Sequence, residues 1–565
     1  MNTNYDAIVV GSGFGGSVTA CRLSEAGYKV LVLERGRRWQ SDRFPSEHSD
    51  ATDYPRDLAD PWIWDEDHPE QHSGWVDFRV FPNMAVAQGS GVGGGSLIYA
   101  NVSVEAAPQS FEEGWPQEVS WEEMSRYFKI VGEMLDVQTV PGNQLTRRFK
   151  LVREGAEAIG EGKRFMPLEL AVSFDQQWSY DPIEGESSRQ VKFSKRFTNK
   201  HGFAQGCCVH LGNCDIGCEA QAKNILEYNY LGLAEKAGAQ VRPLHLARKI
   251  APEKGGYRVF FDRIDPKAHR LDPGSAASRI VIVACGSLGS TELLLRCRDE
   301  YRTLPGISSF LGHNWSSNGD FLTPAIHDRP ASPTHGPTIS GAIDFVADPH
   351  QGERFFIQDG GFPPLFSNSL RDGSLSSRNR LAKAFLDFAN QSLRDGSPED
   401  DEHDPLRSVM PWFAQGQDFA DGRLDLRRRF WLFGKRKLYL HWDIEQSEKL
   451  IDAIVRMHKR LAESTGGKVL VPPTWTLFKN LITPHPLGGC IMSDPPGKGR
   501  AWTDRRGNRR RSDEGVVDHK GEVFGARNLF VADGSVIPEA IGRNPSRTIA
   551  ALAERIARHI VDEGR

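Results

Sequence analysis

The sequence predicts an α/β protein in which a domain with a parallel sheet is joined to a second domain with an antiparallel sheet. Residues 6–34 read as strand, glycine-rich turn, helix and strand, which is the pattern of a βαβ unit. A further strand, turn and helix at residues 279–295 return the chain to the same sheet. Residues 320–480 instead carry short apolar runs that are typical of antiparallel strands.

The βαβ unit has the glycine spacing of a dinucleotide-binding turn. In the segment Gly11-Ser-Gly-Phe-Gly-Gly16, Gly11 permits the turn, Gly13 lets the backbone approach a pyrophosphate, and Gly16 lets the helix pack closely on the strand. The free N–H groups at the start of the helix then face the phosphates. Glu34 ends the second strand, where a carboxylate can accept hydrogen bonds from ribose hydroxyls. These features predict a Rossmann-like domain that binds a dinucleotide.

A second glycine-rich turn, at residues 88–101, indicates which dinucleotide is bound. It contains five glycines in seven residues, so its backbone can lie flat against a planar or phosphate-bearing ligand. A flavin explains such a turn better than a nicotinamide does. A mobile surface loop is the alternative, but the apolar run at residues 97–99 that follows is typical of buried chain.

The remaining elements are predicted from apolar periodicity. Residues 366–430 are rich in Ser, Arg, Asp and Gly around one helical pattern, at residues 379–393, which indicates a lid or a surface excursion. Other helices are predicted at residues 230–237 and 447–462, and strands at residues 240–243, 339–346, 355–357 and 438–442.

The carboxyl-terminal part of the chain carries the residues with the clearest chemistry. Prolines and glycines hold His485 in a rigid stretch, and a strand ends in the acidic turn at Asp533. The last helix is predicted to have Asn544 as its N-cap and Pro545 as its first residue, because proline lacks an N–H that this position does not need.

These features fit the transfer of a hydride from an alcohol to a flavin. A helix start presents free N–H groups and a partial positive charge, which would stabilise negative charge near N1 and O2 of a reduced flavin. A neutral imidazole at His485 can take the hydroxyl proton while the carbinol hydrogen leaves as hydride. Asn544 can hold the same hydroxyl oxygen if its side chain does not cap the helix. The alternatives are a structural histidine and a purely capping asparagine.

Composition and charge exclude several classes of protein. The 565 residues include 70 Lys and Arg against 74 Asp and Glu, so the net charge of −4 provides no basic field for nucleic acid or an anionic membrane. The longest apolar runs are far shorter than the roughly 20 residues of a transmembrane helix. The first residues lack the features of a cleaved signal peptide. We therefore expect a cytoplasmic protein without a nucleic-acid partner or a transmembrane segment.

Four of the eight cysteines, Cys207, Cys208, Cys214 and Cys218, lie within twelve residues. Thiolates at this spacing can converge on an iron–sulfur cluster or on zinc. The alternative is a structural loop that is partly linked by disulfides. Eight cysteines are too few for a disulfide scaffold, which fits a reducing compartment.

Together these motifs resemble the glucose-methanol-choline (GMC) oxidoreductase family, in particular its cholesterol oxidase branch. The matching segments occur in order over almost the whole chain: residues 11–20, 91–97, 485–489, 533–535, 544–545 and 548–555. The resemblance implies a discontinuous FAD-binding domain (residues 1–110, 205–318 and 482–565). It also implies a substrate-binding domain (residues 111–204 and 319–481) with a six-stranded antiparallel sheet.

The resemblance further implies that His485 and Asn544 form a catalytic pair beside FAD. The expected reaction is oxidation of the CH–OH group of a bulky apolar alcohol, sterol-like or long-chain, with hydride transfer to flavin N5 and His485 as the base. Oxygen or another acceptor then takes the electrons. FAD is expected to be noncovalent, because residues 89–101 contain no histidine to which it could be attached.

Two departures from the family pattern leave alternatives open. Cholesterol oxidases isomerise the steroid double bond with a glutamate base, whereas this chain has Gln358 at that place in a loose alignment, so isomerase activity needs Asp359 as a substitute. The cysteine spacing is similar to that of family dehydrogenases that pass electrons through an iron–sulfur cluster to a protein or quinone. A non-oxidative or light-driven flavoenzyme of the same fold is the third alternative.

The sequence thus predicts three groups of site residues. The catalytic pair is His485 and Asn544, and the possible metal ligands are Cys207, Cys208, Cys214 and Cys218. The predicted cofactor-binding residues are Gly11, Ser12, Gly13, Phe14, Gly15, Gly16, Glu34, Gly91, Gly93, Gly94, Gly95, Ser96, Asn101, Asp533, Gly534, Asn544, Pro545 and Ser546.

Overall fold

The fold is known from a computed structural model. It describes residues 4–40, 51–53, 62–180, 189–365, 406–428, 436–476, 479–504, 507 and 509–565. The helices in these ranges are α1 (Phe14–Glu25), α2 (Trp121–Met134), α3 (Arg147–Ala158), α4 (Tyr230–Lys236), α5 (Gly286–Leu295), α6 (Ile444–Ser464), α7 (Pro473–Thr476) and α8 (Ser546–Asp562).

The strands in chain order are β1 (Asn4–Val10), β2 (Val30–Leu33), β3 (Trp39–Gln40), β4 (Thr52–Asp53), β5 (Ile63–Trp64), β6 (Val76–Phe81), β7 (Met84–Gly89), β8 (Phe165–Pro167), β9 (Arg196–Thr198), β10 (Ala204–Gly206), β11 (Gln240–Arg242), β12 (His245–Glu253), β13 (Gly256–Asp265), β14 (Arg270–Val283), β15 (Phe321–His327), β16 (Gly341–Asp344), β17 (Phe355–Asp359), β18 (Val409–Gly416), β19 (Arg423–Arg428), β20 (Arg436–His441), β21 (Gly467–Val469), β22 (Leu481–Thr483), β23 (Ala501–Thr503), β24 (Arg509–Arg511) and β25 (Leu529–Val531).

The sheet that contains the βαβ unit has seven strands. Its parallel part runs β11, β2, β1, β14 and β25, and an antiparallel hairpin of β13 and β12 pairs with the first half of β14. The parallel strands are buried apolar runs such as Val30–Leu33, as expected for a sheet covered on both faces. Helix α1 packs against α4 and α8. The predicted α/β class and the assembly of one sheet from distant segments are confirmed.

Gly11 shows why the first turn needs glycine. Its φ is +96°, and a Cβ there would lie 2.2 Å from the carbonyl oxygen of Ala284 in the turn after β14. Two parallel strands and their turns therefore approach each other at the carboxyl edge of the sheet. Ligands bind at this edge in open α/β folds.

The second sheet has six antiparallel strands in the order β21, β15, β18, β17, β16 and β8. This agrees with the sheet that the family resemblance implies. The boundaries proposed for the two domains stay a prediction. A separate four-stranded sheet runs β22, β7, β6 and β5.

The prediction of a surface excursion at residues 366–430 is wrong for its second part. Val409–Gly416 forms β18, a largely buried strand inside the six-stranded sheet. Its apolar run was hidden by the polar residues that surround it in the sequence. The predicted helix at residues 379–393 lies outside the described residues. Within the described ranges, no helix combines the length and the apolar character of a membrane span.

Candidate active site

A cavity of about 710 Å³ connects the first glycine-rich turn with the carboxyl-terminal motifs. Fourteen of the predicted site residues line it. They are Gly11, Ser12, Gly13, Phe14, Gly15, Glu34, Gly94, Gly95, His485, Asp533, Gly534, Asn544, Pro545 and Ser546. The fold therefore brings together residues that are more than 500 positions apart in the sequence.

Five predicted site residues do not line the cavity: Gly16, Gly91, Gly93, Ser96 and Asn101. Gly93 donates its backbone N–H to Ser12 Oγ at 3.1 Å, and Ser96 Oγ donates to the Gly93 carbonyl at 2.8 Å. The first bond attaches the second glycine-rich turn to the first one, and the other bond lies within the second turn.

His485 is held by a buried carboxylate. Its Nδ1 lies 2.9 Å and 3.0 Å from the two carboxylate oxygens of Asp320, which is fully buried, whereas 18% of the His485 side chain is exposed. Thr483 Oγ1 donates to Asp320 at 2.6 Å and accepts the backbone N–H of His485 at 2.9 Å. Burial raises the pKa of Asp320, and His485 opposes that shift. With Nδ1 donating to the carboxylate, Nε2 carries the free lone pair of a neutral imidazole.

Asn544 does not cap the last helix. Helix α8 begins at Ser546 with Pro545 at the N-cap and without a side-chain cap, so the predicted cap at Asn544 with Pro545 as first residue is one position off. The Asn544 amide instead accepts a hydrogen bond from Gln358 Nε2 at 2.6 Å, and both side chains are buried. With its oxygen engaged, Asn544 has its NH₂ group left as a donor.

The acidic turn at Asp533 is internally satisfied. One carboxylate oxygen accepts from the backbone N–H and the hydroxyl of Ser535. The other accepts from the Gly286 N–H at 2.9 Å and from Ser290 Oγ at 2.5 Å, at the start of α5. Burial raises the pKa of this carboxyl group. Asp533 thus ties the end of β25 to the start of α5 at the cavity wall.

Comparison with known proteins identifies the family. A sequence model of GMC oxidoreductases matches residues 419–553, and one of NAD(P)-binding Rossmann-like domains matches residues 9–69. A cholesterol oxidase of Acinetobacter baumannii is 28% identical over 100% of this chain and 96% of its own. A cholesterol oxidase of Mycobacterium tuberculosis is 30% identical over 99% of this chain and 91% of its own. The chain belongs to the GMC oxidoreductase family.

This GMC oxidoreductase is of the cholesterol oxidase-like branch and is an FAD-dependent enzyme that acts on alcohol donors. A crystal structure of pyridoxine 4-oxidase from Mesorbium loti superposes over 98% of both chains with a TM-score of 0.59. The two sequences are 16% identical, so this likeness concerns the fold.

The residues of the GMC oxidoreductase fit the dinucleotide part of FAD. Gly13 and Gly94 meet at the cavity wall, where a Cβ on Gly94 would lie 2.6 Å from Gly13 Cα. A Cβ on Gly13 would meet nothing nearer than 3.9 Å, so the wall is bare backbone facing open space. Helix α1 starts here without a side-chain cap, which leaves its first N–H groups for a phosphate.

Glu34 supports the same fit from the other strand. Its Oε2 accepts from Ser12 N at 3.1 Å and Ser12 Oγ at 2.7 Å, and its Oε1 accepts from Gly36 N at 2.9 Å. The carboxylate is therefore fixed at the cavity wall with lone pairs left over for further donors.

The prediction of Cys207, Cys208, Cys214 and Cys218 as metal ligands finds no support among the described residues. No three His, Cys, Asp or Glu side chains of the described residues are grouped as metal ligands, and all four thiols are free, without a disulfide. Burial raises the pKa of the Cys208 and Cys214 thiols.

The partners of His485 and Asn544 could not be predicted from the sequence. Asp320 directly precedes β15 and Thr483 ends β22, and Asp320 is 165 positions away from His485. In the sequence, Gln358 stands out only as an amide at the place of a missing glutamate. An aspartate just before an apolar strand is a common pattern, so the sequence held no signal that would link it to one histidine.

Proposed function

We propose that this GMC oxidoreductase oxidises the CH–OH group of a bulky, largely apolar alcohol, sterol-like or long-chain, to a carbonyl, with His485 as the base. The observation that carries the proposal is the cavity shared by the glycine-rich turn at Gly13 and the side chains of His485 and Asn544. A substrate hydroxyl in this cavity can reach an imidazole and an amide at once.

His485 takes the hydroxyl proton at Nε2. Asp320 fixes the tautomer by accepting from Nδ1, and it stabilises the imidazolium that forms. Because Asp320 is buried and receives a further hydrogen bond from the Thr483 hydroxyl, the ring is held in one orientation. The positive charge that develops on the ring is therefore paired as the proton arrives.

Asn544 donates from Nδ2 to the substrate oxygen. Its own oxygen is occupied by Gln358, so the amide presents a donor to an oxygen that gains negative charge as the proton leaves. The pair would then hold one hydroxyl from two sides, with the base at the proton and the donor at the oxygen.

The proposed cofactor-binding residues are those that the sequence predicts, with Gly13, Gly94 and Glu34 at the dinucleotide end. FAD, when bound, supplies the acceptor for the two electrons that leave with the carbinol hydrogen. The uncapped start of α8 at Ser546 contributes a partial positive charge at the cavity wall. Asn101 has a fully buried amide without a partner among the described residues, a group that a ligand could satisfy.

The substrate class is inferred from the wall and from the relatives. Leu322, Ile339, Phe362 and Phe413 line the cavity and favour an apolar substrate. The relatives named above are cholesterol oxidases, which also favours oxygen as the electron acceptor. Isomerisation is not proposed, because Gln358 cannot abstract a proton. Asp359, the alternative base, is fully buried, and its carboxylate accepts hydrogen bonds from Arg148, Ser340 and Gly341.

The test is anaerobic reduction of the bound flavin by a panel of sterols, fatty alcohols, sugars and choline. We expect an apolar alcohol to bleach the flavin absorbance near 450 nm in the dark. The His485→Ala variant should still hold FAD but show no bleaching. His269→Ala, at an exposed histidine, is the matched control. Full bleaching in His485→Ala would contradict the role of the base, and turnover that needs light would contradict the reaction.

A further inference from the structure

The four-stranded sheet of β22, β7, β6 and β5 turns apolar side chains toward solvent. Ile63, Phe78, Val80 and Ile482 are 51%, 42%, 69% and 58% exposed, and they are four of the seven large apolar side chains that are exposed among the described residues. Side chains alternate between the two faces of a sheet, and the registers of the four strands place these four on one face. We call it the apolar face.

The opposite face of the same sheet carries charge. Asp77 is buried between the two exposed rows and accepts hydrogen bonds from Arg35 at 2.8 Å and from Arg79 at 3.1 Å. Arg79 also pairs with Glu292 of helix α5 at 3.1 Å. A sheet with one face in water normally buries its apolar side and turns its polar side outward. This sheet has the reverse arrangement, which indicates that its outer face meets an apolar surface.

The apolar face continues into the cavity. Val76 and Ala87 lie on this face, two positions along their strands from exposed rows, and both line the cavity. Pro484 and His485, which follow β22, line it as well. Leu322 of β15, a strand that contacts β22, is exposed and also lines the cavity. An apolar surface therefore extends from solvent to the cavity that holds the proposed base.

The charged residues near the strand ends form ion pairs. Three such pairs are Glu66 with Arg79, Asp67 with Lys437, and Glu448 with Lys479. Binding to an anionic membrane depends on clusters of unpaired Lys and Arg, and these pairs provide no such cluster. The net charge of −4 favours the same conclusion. A surface of electrically neutral headgroups is the one that fits this rim.

We infer that the apolar face docks on the surface of a neutral phospholipid bilayer, from which the alcohol passes into the cavity. This inference rests on the proposed function, because a bulky apolar alcohol is held in lipid rather than in water. A protein partner or a second copy of the chain on this face would cover the route to the cavity. The face also lacks the side-chain hydrogen-bonding groups that protein interfaces contain.

The sheet can enter the headgroup layer without leaving backbone groups unpaired. The two central strands, β6 and β7, are paired on both sides within the sheet. An unpaired N–H or C=O group in an apolar medium is costly, and this pairing avoids that cost where Phe78 and Val80 would touch lipid. Contact of this kind lies in the interface and does not span the bilayer.

The experiment measures cosedimentation of the holoenzyme with phosphatidylcholine vesicles that contain no alcohol substrate. The wild type should bind, and the double variant Val80→Asp with Ile482→Asp should lower the partition coefficient about 10- to 100-fold, since burial of one such side chain is worth about a factor of ten. Val80→Thr with Ile482→Thr, which keeps the branched shape, should lower it by a smaller factor. Phe193→Asp, at an exposed aromatic residue outside this sheet, is the matched control and should bind as the wild type does. Absorbance near 450 nm checks that each variant retains FAD.

A kinetic comparison links the binding to the reaction. The double aspartate variant should reduce its flavin more slowly than the wild type when the alcohol is supplied in the vesicles. It should match the wild type when the same alcohol is supplied as a soluble cyclodextrin complex.

The other outcomes contradict the inference. Absence of vesicle binding by the wild type, or equal binding by the double variants, would overturn it and leave the proposed function standing. A wild-type dimer that the aspartate variant loses, without vesicle binding, would assign the face to a second copy and overturn it too. Flavin that no apolar alcohol reduces in either form of supply would overturn the proposed function and this inference with it.

Discussion

The carboxylate of Asp320 accepts a hydrogen bond from Nδ1 of His485 at 2.9 Å, from a site that solvent does not reach. This contact decides which nitrogen of the ring can act as a base. It also links the amino-terminal end of β15 to the rigid segment that follows β22. The proposed chemistry therefore depends on the relative position of two sheets and not on one motif alone.

The first prediction concerns this pair. Asp320→Asn keeps the size of the side chain but removes the charge that selects the tautomer and stabilises the imidazolium. The rate of anaerobic flavin reduction should fall by about 100-fold or more while FAD content is retained. Asp425→Asn is a matched control, because Asp425 contacts His441 at 2.7 Å in a half-exposed pair away from the cavity. An equal loss in the control would show that the effect is structural.

A second prediction concerns the orientation of Asn544. Gln358→Leu removes the donor that engages the Asn544 oxygen, so the amide can turn and present either end to the substrate. We expect kcat/KM to fall about 10- to 100-fold. The control is Gln415→Leu, since Gln415 is an equally buried amide on the neighbouring strand β18, with no partner among the described residues. Normal kinetics in Gln358→Leu would contradict this prediction, because Gln358 would then not be needed to orient the Asn544 amide.

The contact between the two glycine-rich turns leads to a third prediction. Gly94→Ala should lower the FAD content of the purified protein, measured from absorbance at 450 nm against 280 nm, because the new Cβ would collide with Gly13 Cα. Placing a residue other than glycine in the left-handed backbone conformation also costs about 1–2 kcal/mol. Gly27→Ala separates the two effects, since Gly27 has φ +86° but open space around it. Full FAD content in Gly94→Ala would show that this part of the wall does not hold the cofactor.

The pH dependence of stability provides a fourth prediction. The pKa of Asp215 is raised from 3.8 to about 6 by burial, so the folded protein holds this proton between those pH values while the unfolded chain releases it. Stability is then lost as the pH rises through this interval, by at most about 3 kcal/mol. Asp215→Asn should therefore raise the melting temperature at pH 7 and not near pH 4.

The control for this series is Asp136→Asn, at an exposed carboxylate that pairs with Lys200. Its melting temperature should follow that of the wild type at every pH. A gain in Asp215→Asn of the same size at pH 4 and pH 7 would contradict the assigned cause, which is burial of the ionised group.

Local motifs made much of the fold predictable. The βαβ turn at residues 11–16, the second turn and the segment before α8 depend on backbone conformations that few residue types allow, so glycine and proline mark them in the sequence. The strand Val409–Gly416 was not predicted correctly, because a buried strand flanked by polar chain has no periodicity of its own. Its position in the sheet is set by pairing with β15 and β17.

The sequence by itself determined the α/β class, the glycine-rich turns and the residue types that surround the cavity, because each depends on neighbours within a few positions. Only the tertiary structure decided that Asp320 faces His485, that Gln358 and not the helix end engages Asn544, and that the cysteine loop contributes Asp215 to the cavity wall. The first two of these relationships join residues that are 165 and 186 positions apart in the sequence. Burial and hydrogen bonding select such partners after the sheets have packed, and no spacing in the chain records that choice.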